Sequence, residues 1–268
     1  MVIPVRRIIL NFLITGMLIG SCTPQSVNQP DFSDYFSRRG VQGAFLIYDA
    51  EKDEFIKFCG ERCQTQFIPA STFKILNAQI ALETGVIKDE YEVIQWDGTD
   101  WAVETWNQDH NLRTAMQYSV VWFFEELARR IGTDRMQHYV DLVGYGNQDI
   151  TGPTDIFWLE GNLRISQEEQ IEFLRRLVEG GLPFSPETMK TVKEIIILEE
   201  TGNYQLSGKT GWSTQVNPDI GWFVGYVEVD EDIYYFATNV DHEGSEASLG
   251  KISQEITVEI LTDLEILD

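Results

Sequence analysis

The chain has 268 residues, of which 43% are hydrophobic and 12% aromatic, and its formal net charge at pH 7 is −23. This composition is typical of a folded globular protein and excludes an intrinsically disordered chain. Because so acidic a surface repels a phosphate backbone, we expect no nucleic-acid partner.

The N-terminal segment has the pattern of an export signal. Two arginines precede an apolar run at residues 8–19, which falls short of the about 20 apolar residues of a membrane-spanning helix. The run ends in Leu-Ile-Gly-Ser-Cys, which resembles the lipobox of bacterial lipoproteins, whose cysteine, here Cys22, becomes the lipid-modified N-terminus. Soluble secretion is the alternative. We predict a signal peptide at 1–21, a linker at 22–39, and a location in the bacterial cell envelope or periplasm with membrane contact only through a lipid at Cys22.

Two strand-like runs joined by a Glu-Lys-Asp turn follow at residues 43–58. Directly after them, Cys59 and Cys63 flank a second tight turn. In an oxidising envelope these cysteines can form a disulfide, and two free thiols are the alternative. No zinc site is expected here, because no second cysteine or histidine pair lies nearby.

The middle of the chain is predicted to be mostly helical. Apolar residues at helical spacing predict helices at 71–85 and 114–132, and a glycine closes each of them. A third helix is predicted at 166–181, with Ser166 as its N-cap and Glu169 at the capping-box position.

Strands return near the C-terminus, at 219–229 and 233–240, and a final helix is predicted at 253–267. Strands from the two ends of a chain usually unite in one antiparallel sheet. We therefore predict an α+β fold for residues 40–268, with an antiparallel sheet flanked by helices, an all-helical lobe, and a cleft between the two.

A serine and a lysine, Ser71 and Lys74, lie three residues apart at the start of the first predicted helix and so share one face of it. A serine hydroxyl needs a base to become a nucleophile, and lysine is a base only when neutral. At its ordinary pKa, on the order of one lysine in a thousand is neutral at pH 7, and burial raises that fraction. The pair predicts a nucleophile and its base if Lys74 is buried, and an ordinary solvated lysine if it is not.

A second motif, Lys209-Thr210-Gly211, precedes the C-terminal strands. A lysine and a hydroxyl at an exposed strand edge can hold a carboxylate, and a glycine lets a substrate approach the backbone closely. Serine enzymes that act on penicillins carry S-x-x-K first, K-T-G last and a third element between them. In this chain the middle element is Ser119-Val120-Val121.

Together with Tyr-Gly-Asn at 145–147 and Trp-Leu-Glu-Gly at 158–161, these motifs closely resemble the class D, oxacillinase-type, serine beta-lactamases. The resemblance covers nearly all of residues 40–260. It implies a penicillin-binding/beta-lactamase-like fold with its active site in the cleft, and hydrolysis of beta-lactam antibiotics. It further implies Ser71 as the nucleophile and Lys74 as a lysine that carbon dioxide or bicarbonate converts to N6-carboxylysine, the general base for acylation and deacylation. No other cofactor and no metal are implied.

The resemblance assigns further roles position by position. Ser119 corresponds to a serine that relays a proton near the substrate nitrogen, Val121 to a valine that shields the carbamate, and Trp158 to an indole that donates a hydrogen bond to it. Lys209 and Thr210 correspond to the residues that position the substrate carboxylate and shape the electrostatics of the site.

By the same resemblance, the backbone N–H groups of Ser71 and Trp212 form the oxyanion hole, with Gly211 beside them. For residues 145–147, a structural turn that supports the site is at least as good an interpretation as contact with substrate, and Glu160 is interpreted as structural.

One feature departs from the family pattern. The family places an arginine near the last strand to grip the substrate carboxylate, and residues 239–256 contain none. Lys251 is the nearest cation, so we expect it to bind substrate as a point charge, without the planar fork of a guanidinium.

Other classes of protein fit the sequence less well. The chain has three histidines, His110, His138 and His242, and no G-x-S-x-G motif, which disfavours both a Ser-His-Asp hydrolase and a metalloenzyme. The alternative that remains open is a covalent beta-lactam sensor or a penicillin-binding protein, which acylates without rapid turnover. Oligomeric state cannot be predicted from the sequence.

Overall fold

The computed structural model describes residues 30–58, 60–244 and 248–267. The strands within these ranges are β1 (Gln42–Asp49), β2 (Glu54–Phe58), β3 (Ile197–Glu200), β4 (Gln205–Ser213), β5 (Asp219–Val229) and β6 (Asp232–His242). They form one antiparallel sheet in the order β2-β1-β6-β5-β4-β3. Because β1 pairs with β6, strands from the two ends of the chain unite as predicted.

The helices of the described residues lie on both faces of the sheet. They are α1 (Ser33–Ser37), α2 (Lys74–Glu83), α3 (Leu112–Gln117), α4 (Val121–Ile131), α5 (Thr133–Val143), α6 (Phe157–Glu160), α7 (Gln167–Glu179), α8 (Pro186–Ile195) and α9 (Leu249–Asp263). The first and last helices contact each other, and α9 packs against β4, β5 and β6. On the opposite face, α7 contacts β5 and β6 and joins the sheet to the helical lobe. The predicted fold class is confirmed.

Two hydrophobic cores follow from this layering. Successive side chains of a strand face opposite sides of a sheet, so Phe45 packs toward α9 while Leu46 packs toward the helical lobe. Both side chains are fully buried. The lobe-side core contains Phe73 and Trp158, which places the predicted catalytic motifs against the larger of the two cores.

Several local predictions are confirmed. The turns after β1 and β5 lie where the sequence indicated, and α7 begins with a capping box in which the Ser166 hydroxyl accepts from the Glu169 N–H. The predicted helix at 114–132 is wrong, because it is two helices separated at residues 118–120. Apolar periodicity continues across the break since α3 and α4 bury side chains in the same core.

Cys63 is buried and disulfide-bonded, so it is not a free thiol. Cys59, Cys22 and the predicted signal peptide lie outside the described residues. Within the described ranges, no helix combines the length and apolar character that crossing a membrane requires. The same ranges contain no group of three or more side chains suited to holding a metal ion.

Candidate active site

The chain turns sharply into α2 at Ser71. This serine lies in a 3-10 turn at residues 70–73 that leads directly into the helix. Ala70 has a φ of 50°, in the left-handed region that residues other than glycine rarely adopt. On the facing strand, a Cβ at Gly211 would lie 3.1 Å from the carbonyl oxygen of Pro69. Glycine at this position therefore allows β4 to lie directly beside the turn that carries Ser71.

Lys74 is fully buried at the first position of α2. Its Nζ donates to the carbonyl oxygen of Ser119 at 2.6 Å and lies 3.1 Å from Ser119 Oγ. The centroid of the Phe124 ring is 5.2 Å away. Burial holds the pKa of Lys74 well below its ordinary value, because the ammonium loses its hydration. The positive charge of Lys209 lowers this pKa further, and the negative charge of Glu125 opposes both effects.

Ser119 lies between the two lysines of the site. It occupies the break between α3 and α4 with a φ of 54°. Its Oγ is 3.1 Å from Lys74 Nζ and 3.0 Å from Lys209 Nζ. Lys209 is 5% exposed, and burial lowers its pKa to about 8. The three sequence motifs therefore meet at one hydroxyl group, which can pass a proton between its neighbours.

Lys209, Thr210 and Gly211 lie on β4 beyond the end of the neighbouring strand. The edge strand β3 pairs with β4 only as far as Ser207. The outer edge of β4 at the K-T-G motif therefore faces the cleft rather than another strand, as the sequence predicted.

A cavity of about 530 Å³ opens above Ser71. The predicted site residues that line it are Ser71, Ser119, Val121, Thr210, Gly211 and Trp212. One wall is apolar and was not identified from the sequence. It consists of Val103, Trp106, Tyr118 and Leu159. The indole of Trp106 donates to the carbonyl oxygen of Tyr118 at 3.0 Å, which fixes this wall beside Ser119.

Trp158 lies beneath the cavity on α6 and is fully buried. Its indole stacks on the ring of Phe73, with the two ring centroids 5.4 Å apart. Phe73 is the residue that directly precedes Lys74. Its Nε1 is buried and has no hydrogen-bond partner among the described residues. A buried donor without an acceptor is costly, and an indole N–H can only donate. This N–H is therefore available to an additional acceptor.

The residues of the Tyr-Gly-Asn motif support the site from outside the cavity. Tyr145 is buried and packs edge-on against Phe73, with ring centroids 5.6 Å apart. Asn147 hydrogen-bonds to the backbone of Asn162 and Arg164 and so joins two loops. Neither residue lines the cavity above Ser71, whereas Glu160 does.

Lys251 is not where the sequence led us to expect it. The last helix, α9, begins four residues before the predicted start at residue 253, so Lys251 lies in its first turn. There its Nζ is 3.8 Å from Glu255, one turn further on, and its side chain is 76% exposed. The cavity above Ser71 is lined at this end by Ser248 and Gly250 instead. The structure therefore does not bring Lys251 to the site.

Comparison with known proteins agrees with this geometry. Residues 41–262 match the penicillin-binding protein transpeptidase domain family. The crystal structure of a class D beta-lactamase, YbXI from Nostoc, is 45% identical in sequence and superposes with a TM-score of 0.85, covering 88% of this chain and 99% of that one. The chain belongs to the class D beta-lactamase family. Among other class D relatives, beta-lactamase OXA-48 of Klebsiella pneumoniae is 44% identical over 233 residues, which are 87% of each chain.

The chain is also similar to a protein that is named as a regulatory protein rather than as a beta-lactamase. Regulatory protein BlaR1 of Bacillus licheniformis is 36% identical over 238 residues, which are 88% of this chain but 39% of that protein. Similarity of this degree is therefore shared by proteins named beta-lactamases and by one named a regulatory protein.

Proposed function

We propose that the protein hydrolyses beta-lactam antibiotics through an acyl-serine intermediate. The observation that carries the proposal is the burial of Lys74, which lowers its pKa, beside Ser119 in the cleft that contains Ser71. The Ser71 hydroxyl loses its proton to a base and attacks the lactam carbonyl, and the amide bond breaks as the ring nitrogen gains a proton. Water then attacks the ester and releases the opened product.

We infer that Lys74 works as N6-carboxylysine. A neutral amine attacks carbon dioxide and loses one proton, so the lowered pKa of Lys74 favours the reaction at neutral pH. The unpartnered Nε1–H of Trp158 suits a carbamate oxygen. When formed, the carbamate supplies an anionic oxygen as general base for both acylation and attack by water.

Other residues hold the substrate. The backbone N–H groups of Ser71 and Trp212 are the proposed oxyanion hole, and the lining of the cavity by both residues supports this. Lys209 and Thr210 are the proposed partners of the substrate carboxylate. Ser119, within reach of both lysines, is the proposed donor to the ring nitrogen.

The proposal is tested by nitrocefin hydrolysis, measured with added bicarbonate and in buffer depleted of carbon dioxide. Wild-type protein should turn over many equivalents, with a higher rate in bicarbonate, and Ser71→Ala should be inactive. Lys74→Ala should keep its fold, as judged by circular dichroism, and lose deacylation. Normal hydrolysis by Lys74→Ala would show that the carbamate mechanism is wrong.

The same assay separates hydrolysis from covalent sensing. A sensor would give a single equivalent of acylated Ser71 by mass spectrometry and no further product in bicarbonate. That outcome would overturn the hydrolase proposal and place the protein with the regulatory relative.

We also propose export to the bacterial cell envelope with a lipid anchor at Cys22, supported by the sequence of residues 1–22. In a bacterial host, wild-type protein should fractionate with membranes and incorporate labelled fatty acid, and Cys22→Ser should not. Exported wild-type protein without label would instead indicate soluble secretion.

A further inference from the structure

A second cavity, of about 470 Å³, adjoins the catalytic cavity on the far side of the K-T-G motif. Thr210 lines both cavities, and Lys209 also lines the second one. The remaining walls are formed by α3, by the segment that joins α8 to β3, and by Gln254 of α9. A ligand whose carboxylate reaches Lys209 and Thr210 from the Ser71 side is therefore at the entrance of this second space.

The second cavity contains a cation that the sequence motifs did not single out. Arg113 lines it from α3, together with Met116 and Gln117 on the same helix face. The side chain of Arg113 is 38% exposed, and its ion pair with Glu90 is long, at 3.8 Å. Its guanidinium also lies over the Tyr91 ring, at 5.9 Å from the centroid. An arginine with so weak a pairing keeps most of its capacity to bind an anion.

The charges of the cavity lining favour an anionic ligand. Arg113 and Lys209 are the cations of the lining, and Glu194 is its one carboxylate. Glu194 lies 3.7 Å from Lys190, one helical turn away, so its charge is partly neutralised. In a protein with a formal charge of −23, this is a local excess of positive charge.

Resting on the proposed function, we propose that the second cavity receives the C3 substituent of cephem substrates and that Arg113 selects negatively charged ones. In a cephem, C3 is bonded to the carbon that carries the carboxylate. With the lactam carbonyl at Ser71 and the carboxylate at Lys209 and Thr210, a group on C3 extends past Thr210 into the second cavity. Arg113 there attracts an anionic group and repels a cationic one.

The test uses three cephems that differ only at C3, where a styryl group carries hydrogen, carboxylate or trimethylammonium at its para position. Wild-type protein should show a higher kcat/KM for the carboxylate compound than for the trimethylammonium compound, mainly through KM. Arg113→Gln should reduce this preference by roughly two- to fivefold, the size expected of a partly exposed charge pair. Arg113→Lys should retain part of the preference because the charge remains.

Arg175→Gln is the matched control, because Arg175 is similarly exposed, at 35%, and lies on α7, outside both cavities. It removes the same charge and should leave the preference unchanged. An equal change of preference in both variants, or none in Arg113→Gln, would overturn the inference.

Acylation of Ser71 by each compound is measured in parallel by competition with a fluorescent penicillin. Acylation rates report the preference even if turnover is absent, so a failed hydrolase proposal does not obscure the result. Absence of acylation by all three compounds would overturn both the proposed function and this inference.

Discussion

Cations in the cleft and cations on the outer surface have opposite surroundings in this molecule. Lys74 and Lys209 are buried and hydrogen-bond to hydroxyl and carbonyl groups, with no carboxylate partner among the described residues. On the surface, Arg129 lies 2.7 Å from Asp155, and Arg175 lies 2.9 Å from Glu172. Although the protein is acidic, these two buried amines form no ion pair with a carboxylate in the part of the chain that the structure describes.

This contrast distinguishes the buried lysines of the cleft, which are suited to chemistry, from the charged surface side chains, which keep the protein soluble. A buried amine without a counterion destabilises the fold, and its pKa falls because the neutral form is favoured. A neutral amine is the form that acts as a base or reacts with carbon dioxide. Surface pairs change stability little, because water already solvates both partners.

The sharpest test of the contrast is Lys74→Met, which keeps side-chain length and removes the amine. We expect kcat/KM for nitrocefin to fall by roughly 10³-fold, since general-base catalysis is lost. In carbon dioxide-depleted buffer the melting temperature should rise by about 3 °C or more, because a poorly solvated polar group is removed. Calorimetry and steady-state kinetics on the same preparation measure both quantities. A lower melting temperature would mean that the buried amine stabilises the fold, contrary to this account.

Trp158→Phe removes one buried N–H and keeps an aromatic ring to stack on Phe73. We expect the bicarbonate concentration for half-maximal activity to rise roughly 10- to 100-fold, because a hydrogen bond to an anion is lost. Trp101→Phe is the matched control, since Trp101 also has a buried Nε1 without a partner among the described residues but lies outside the catalytic cavity. An equal bicarbonate requirement in wild type and Trp158→Phe would remove this indole from the mechanism.

The pKa of Lys209, about 8, predicts the pH dependence of substrate binding. Below that pH the ammonium is charged and attracts the substrate carboxylate, and above it the charge is lost. KM for a penicillin should therefore rise with pH, by roughly tenfold between pH 7 and 9.5, the order expected for losing a charge-assisted hydrogen bond. Lys209→Gln should raise KM at pH 7 and show a flat profile across this range. A wild-type KM that fell with rising pH would give Lys209 a different role.

The smallest effect is expected on the surface. Arg129→Gln breaks ion pairs with Glu126 and Asp155, and the Arg129 side chain is 48% exposed. We expect the free energy of unfolding to change by less than about 1 kcal/mol and kcat/KM to stay at the wild-type value. Urea titration and nitrocefin kinetics provide the measurements. A loss of activity in this variant would show that surface and cleft charges are not separate in function.

Short-range patterns predicted much of this structure, and long-range contacts account for what they missed. The S-x-x-K spacing and the K-T-G motif led to the buried lysines, and the capping box located α7. The break at Ser119 was missed because apolar spacing continues through it, and a backbone with positive φ at a serine has no sequence signal. The early start of α9, which places Lys251 in the first turn of the helix, was missed for a different reason: helix boundaries are the least certain part of such predictions.

The second cavity could not be predicted either, because Arg113 and Lys209 are far apart in sequence. They line one space only because α3 packs against α8, whose end adjoins the strand that carries Lys209. The apolar wall at Val103 and Trp106 could not be predicted either, because a segment without helical or strand periodicity in its sequence positions these residues.

The central proposal is that Lys74, whose pKa is lowered by burial, is neutral and is converted to a carbamate by carbon dioxide. The most direct measurement is a carbon-13 NMR spectrum of the protein in labelled bicarbonate, recorded alongside Lys74→Met. We expect one carbamate resonance that grows with bicarbonate in parallel with nitrocefin turnover and is missing from the variant. Full turnover by wild-type protein without such a resonance, or the same resonance in Lys74→Met, would contradict the account.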